Sequence, residues 1–208
     1  MSLQEGLSNV YPNKRYLRPF LTAILAALVT GCTLPVTITD YTFSTVSRQG
    51  LSKFKDVNMV AHHAPVSDEY IHVKLTTKEN LIGLARGKSL IIDPKVRFCD
   101  SSPRKNHLNM PGLIRNGKSV FEWTYYNQGK PLPIAAAGKE YDLIIYASLE
   151  ENRFAQQFNP NFDHAGHDLY TNPRDICISI GGGTYGTRLV SNEVRISKDD
   201  IFQMFNPQ

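Results

Sequence analysis

The chain has no apolar run long enough to cross a bilayer. Its most hydrophobic segment, "PFLTAILAALVT" from Pro19 to Thr30, spans 12 residues, whereas a crossing helix needs about 20 at 1.5 Å rise. Hydrolase signatures are missing as well: there is no Gly-x-Ser-x-Gly and no His-Glu-x-x-His. "GGGTYG", Gly181 to Gly186, lacks the Lys-Ser or Lys-Thr of a phosphate loop and is followed by the strand-like "EVRI", so it reads as a hairpin or bulged connection that uses glycine for positive φ. The adjacent Glu150 and Glu151 would face opposite ways on a strand and make poor acid/base partners. With 23 Lys and Arg against 19 Asp and Glu, and no basic cluster, the chain lacks the footprint of a nucleic-acid binder. No catalytic residue and no cofactor are expected.

What is present begins with an address. Lys14, Arg15 and Arg18 precede the apolar run, and the sequence turns polar at Thr33, Thr37, Thr39 and Asp40, the profile of a signal peptide. The run closes on "LVTGC". This stretch resembles the bacterial lipobox, which implies removal of residues 1–31 and acylation of Cys32 as the new first residue. In that family's sorting pattern, Thr33 in place of Asp implies the outer membrane. Two acyl chains anchor a protein stably where one is marginal. The leader holds three basic residues and one acidic residue, so its loss lowers the formal charge from +4 to +2 and leaves 177 residues, enough for one domain with a core. Residues 32–67 are expected to be the acylated Cys, a spacer and a possible first strand in "VTITDYTF", with the domain proper at 68–208.

With Cys32 set aside, Cys99 and Cys177 form an even pair, which in an oxidising compartment predicts a disulfide. Both are out of phase with their apolar neighbours, Val96 and Phe98 on one side, Ile176, Ile178 and Ile180 on the other. The bridge is therefore expected outside the main core, between strands or between a strand and a loop.

Period-two alternation dominates the rest. It runs through "YIHVKLT", "FEWTYY", "EYDLIIYASL" and "ICISI", separated by "LARGK", "NMPGL", "NQGKPLP" and "IGGGTYG", which read as turns. The expectation is an all-β fold, a single immunoglobulin-like or fibronectin III-like sandwich. "AAGKEYDLIIYASLEEN" resembles the E–F corner of those domains, which implies a structural Tyr141 whose hydroxyl bonds back to the corner backbone. At the C-terminus Ser197 stands three residues before Asp200 ahead of "IFQMF", the spacing of a helix cap; a single helical turn and a last edge strand both remain open.

Two groups of side chains are functional candidates. "DHAGHD" offers Asp163, His164, His167 and Asp168, with His62 and His63 elsewhere; two His three apart supply at most two of the four ligands of a closed zinc site, and a solvated loop is the plainer reading. Tyr126 and Tyr146 fall out of phase with the core faces and are expected on an outer surface, where tyrosine favours protein contacts.

The lipobox, the "GKEYDLIIYASLEE" strand and "DICISIGGG…SNEVRI" together look like small periplasmic lipoproteins, some labelled immunity proteins for type VI secretion effectors. The resemblance implies a lipid-anchored module that binds another periplasmic protein. A structural or accessory envelope lipoprotein and a periplasmic metal-binding lipoprotein are the competing expectations.

Overall fold

The computed structural model describes residues 32–54, 69–101, 108, 112–126, 131, 134, 137–149 and 166–207. The leader 1–31, His62, His63, Asp163 and His164 lie outside them. In chain order the elements are β1 (Cys32–Val36), β2 (Ile38–Ser47), a 3-10 turn (Gln49–Lys53), β3 (Glu69–Thr77), α1 (Leu81–Lys88), β4 (Ile91–Phe98), β5 (Ile114–Arg115), β6 (Lys118–Ser119), a π-helical turn (Glu122–Tyr126), β7 (Glu140–Tyr146), β8 (Ser148–Leu149), β9 (His167–Asp168), β10 (Ile176–Thr184), β11 (Thr187–Ser191), β12 (Val194–Ile196) and α2 (Lys198–Phe205).

Two open sheets form. One has the order β2-β3-β7-β5-β6 and is antiparallel throughout. In the other, β10 pairs along its length with β4, and on its opposite edge first with β12 and then with β11, which carries β1 as a parallel edge strand. The inward residues of both sheets, such as Ile71, Val73, Leu75, Leu143, Ile145, Ile178, Ile180 and Leu189, share one hydrophobic cluster with Leu81, Ile82 and Ala85 of α1 and Ile201 of α2. Each such side chain contributes about 1.5–3 kcal/mol by leaving water.

This is a mixed α/β fold, and it corrects the expected all-β immunoglobulin-like sandwich. The alternation misled in three places. "LARGK" is not a turn but the body of α1, whose first turn is capped by Asn80, its Oδ1 accepting from the Gly83 amide at 3.1 Å. The helix stops at Ser89, in the left-handed region at φ 52°, where the Leu90 amide donates back to the Ala85 carbonyl at 2.8 Å. Glycine usually marks such a stop; here serine occupies it, and Gly83 and Gly87 inside the helix read as breakers.

"FEWTYY" is likewise not a strand. Ser119 Oγ accepts the Glu122 amide at 3.0 Å, and Lys118 pairs with Glu122 at 2.6 Å, four residues on. These are helical contacts, and they turn Trp123 into the main cluster, where its Nε1 donates to the Arg115 carbonyl at 3.1 Å. The hairpin before it turns on Asn116 and Gly117, at φ 50° and 74°, the backbone demanded by a two-residue hairpin loop.

The third difference lies in β7. Its second face is not solvated: Ile144 and Tyr146 join Tyr70, Ile114, Leu51 and Phe54 in a separate hydrophobic cluster. The 3-10 turn covers that side, so β7 is buried on both faces.

Residues 32–47, read as a spacer with a possible strand, supply edge strands to both sheets. Their junction is held by Asn192, whose Oδ1 accepts the Ile38 amide at 2.7 Å and whose Nδ2 donates to the Ile38 carbonyl at 3.1 Å. One side chain thereby stands in for a strand partner at the gap between β11 and β12.

The disulfide joins Cys99 to Cys177, with Cα atoms 5.0 Å apart. Cys177 lies level with Arg97 and Arg195 and alternates with the inward Ile176 and Ile178. Cys99 sits in the turn after β4, where Arg97 Nη1 donates to the carbonyls of Phe98, Cys99 and Ser101 at 3.0–3.1 Å and Nη2 pairs with Glu193 at 2.8 Å. The bridge thus ties a strand to a loop on the outer face of its sheet.

α2 begins at Ser197, whose Oγ accepts the Asp200 amide at 3.1 Å. Asp175 accepts from the Lys198 amide at 2.8 Å and pairs with Arg195 at 2.6 Å; the amide bond first, then the guanidinium, hold its carboxyl below the usual range. No described helix is long and apolar enough to cross a membrane.

Candidate functional site

The site is built at one end of the β1-β11-β10-β4 sheet, around Cys32. β10 and β11 form a hairpin whose two-residue loop, Tyr185 and Gly186, stands at the tip, with Gly186 at φ 79°. The Cys32 amide donates to the Gly186 carbonyl at 2.9 Å, and Cys32 pairs in register with Thr187. Its thiol is free and exposed.

One residue inward, Ile91, Gly183, Arg188 and Thr33 stand level across four strands. Their neighbours Ile92 and Leu189 are in the main core, so this row faces outward. Ile91 is 60% exposed and Tyr185 is fully exposed; Arg188 is exposed too. With no side chain at Gly183, a hollow of about 690 Å³ opens here, lined by Ser89, Ile91, Thr184, Tyr185 and Arg188. The strands meet closely because of the glycines beside it. A Cβ on Gly182, which has φ 151°, would stand 2.1 Å from the Ile91 carbonyl oxygen.

The metal candidates divide. His167 Nε2 donates to the Tyr146 carbonyl at 3.0 Å and its ring meets Phe98 edge-on at 5.6 Å. Burial, partly offset by that carbonyl, keeps the imidazole less basic than usual. Asp168 accepts from the Tyr170 amide and the Thr171 hydroxyl, both at 3.0 Å, closing the turn after β9. Both residues serve the backbone. Among the described residues no three His, Cys, Asp or Glu side chains converge as metal ligands.

The tyrosine expectations need one correction. Tyr146 is not on an outer surface: it is 6% exposed and packs against Tyr70 at 5.9 Å between ring centres, because the 3-10 turn covers its face of the sheet. That burial, with Tyr70 alongside, pushes its phenol up to about 12. Tyr126 ends the π-helical turn, and its side chain lies outside the described residues. Tyr141 does bond back to its corner, donating to the Gly138 carbonyl at 3.1 Å while accepting the Leu81 amide at 2.8 Å.

Sequence reasoning singled out Cys32 and gave no role to Ile91, Tyr185 or Arg188. Ile91 was hidden in the doublet Ile91-Ile92, where alternation has no phase, and Tyr185 was legible only as the non-glycine residue at the tip of a hairpin already read from its glycines. No family model, curated protein or solved structure matches this chain.

Proposed function

We propose that this protein is a bacterial lipoprotein, held at the periplasmic face of the outer membrane by acylated Cys32, whose body binds another periplasmic protein. The observation that carries the reading is the position of Cys32. The lipobox cysteine of "LVTGC" is also the first residue of β1, so cleavage before it leaves a folded body that starts at the lipid.

Binding is supported by β2. This ten-residue strand ends its sheet, and among the described residues no strand pairs with its outer edge. An open edge of that length adds a partner's strand through main-chain hydrogen bonds. The resemblance to immunity lipoproteins makes an incoming toxin the partner class to test first.

Two measurements test this in cells carrying the full-length protein. Labelled palmitate should be incorporated and lost on Cys32→Ser. A photo-crosslinking residue at Ser44, exposed on β2, should give one discrete adduct during competition with a toxin-delivering neighbour. Absence of label removes the anchor, and absence of any adduct from Ser44 and from Thr42 removes binding at this edge.

A further inference from the structure

We infer that the tip of the β10–β11 hairpin, together with Ile91, rests in the headgroup layer of the bilayer, so that this end of the sheet is a membrane-contact surface. The inference rests on acylation of Cys32 and adds to it where the body sits. A tether usually leaves the orientation of its cargo open; here it does not, because Cys32 is already in the ladder. Its amide is bonded to the Gly186 carbonyl at 2.9 Å, and no linker separates the thiol that takes the lipid from the folded sheet. The hairpin tip is therefore carried to the plane at which the acyl chains enter.

The side chains at that end suit an interface. Tyr185 is wholly exposed at the tip, and an amphipathic phenol is among the side chains favoured at headgroup depth. Ile91, 60% exposed, offers apolar surface on the outward row that continues through Gly183 to Arg188. Arg188 lines the hollow beside it, and Lys88 immediately precedes Ser89 on the same rim; both are exposed. Basic groups at this depth attract anionic headgroups. None of these contacts need be strong, since the tether supplies a high effective concentration.

The test uses the acylated full-length protein in vesicles of phosphatidylethanolamine and phosphatidylglycerol containing lipid brominated near the carboxyl end of its chains. The sequence has one tryptophan, Trp123, which is 7% exposed and gives the background. Tyr185→Trp reports the tip. Phe202→Trp reports the far end: Phe202 is 53% exposed on α2, which follows the strand paired with Ile176–Ile178, and eight steps along β10 at 3.3 Å rise put Thr184 about 26 Å from Ile176. The expected result is severalfold bromine quenching of the added Tyr185→Trp emission, with Phe202→Trp unquenched. Mass spectrometry of the N-terminal peptide separates the failures. Acylated protein with an unquenched Tyr185→Trp overturns this inference alone, as does equal quenching at both positions, whereas unacylated Cys32 overturns the anchor and this inference with it.

Discussion

The hydroxyl of Tyr141 accepts the amide hydrogen of Leu81 at 2.8 Å, so the first residue of α1 is capped by a side chain from β7, the middle strand of the antiparallel sheet. The same hydroxyl donates to Gly138. Burial raises the phenol's pKa, against the opposing pull of the Leu81 and Ile82 amides. Tyr141→Phe keeps the ring and strands a buried amide, which costs about 1–3 kcal/mol. Urea unfolding should show that loss; an unchanged midpoint would mean the bond contributes nothing.

Glycine substitutions should split by position. Gly182→Ala drives a Cβ into the Ile91 carbonyl at a positive φ and should cost about 3 kcal/mol or more. Gly87→Ala meets nothing within 4 Å near the end of α1 and should stabilise by about 0.5–1 kcal/mol. Paired melting curves check both signs.

Asn192→Ala removes both partners of the Ile38 backbone and should cost about 1–3 kcal/mol. Asn192→Asp keeps the acceptor for the Ile38 amide but turns an oxygen toward its carbonyl, so it should not rescue. Equal stability of wild type and Asn192→Asp would remove the donor half of this account.

Replacing Cys99 and Cys177 together by Ser opens a loop with a sequence separation of 78, for which chain entropy predicts a loss of about 4–5 kcal/mol. The measurement is denaturant unfolding of both proteins under non-reducing conditions, so that the wild-type bridge stays intact.

His167 gives a pH dependence of definite sign. Burial, the larger effect, lowers its folded pKa from 6.5, so the unfolded chain takes the proton first. Stability is fully present above the unfolded value and falls as pH drops below it toward the folded one. His167→Gln, which retains a donor for the Tyr146 carbonyl, should flatten the melting temperature between neutral and mildly acidic pH; an unchanged slope would assign that fall to other groups.

Most strands were legible because Val, Ile and Leu alternate where one face meets the core, as in β3. The fold class was not, because alternation reports that a face is apolar and not what covers it. Tyr146 repeats on the second face of β7 and is covered by Leu51 and Phe54 from a turn about 90 residues upstream, a long-range contact that no local period encodes. α1 stayed hidden for a local reason: two glycines, eight residues and a serine at the left-handed stop. At the candidate site, Cys32 was legible as a motif, while the row from Ile91 to Arg188 exists only through strand register.

β1 lies parallel to β11, in register from Cys32 with Thr187 to Val36 with Ser191. A pull applied at Cys32 itself therefore acts along the strand axis. It must slide the whole five-residue ladder at once, as in shear, instead of opening it bond by bond from one end. Beyond Val36 the backbone runs through Thr37 straight into β2 of the second sheet, where Asn192 braces Ile38. An edge strand that is thermodynamically modest is, in this direction, a mechanical clamp at the point where the body takes a pull.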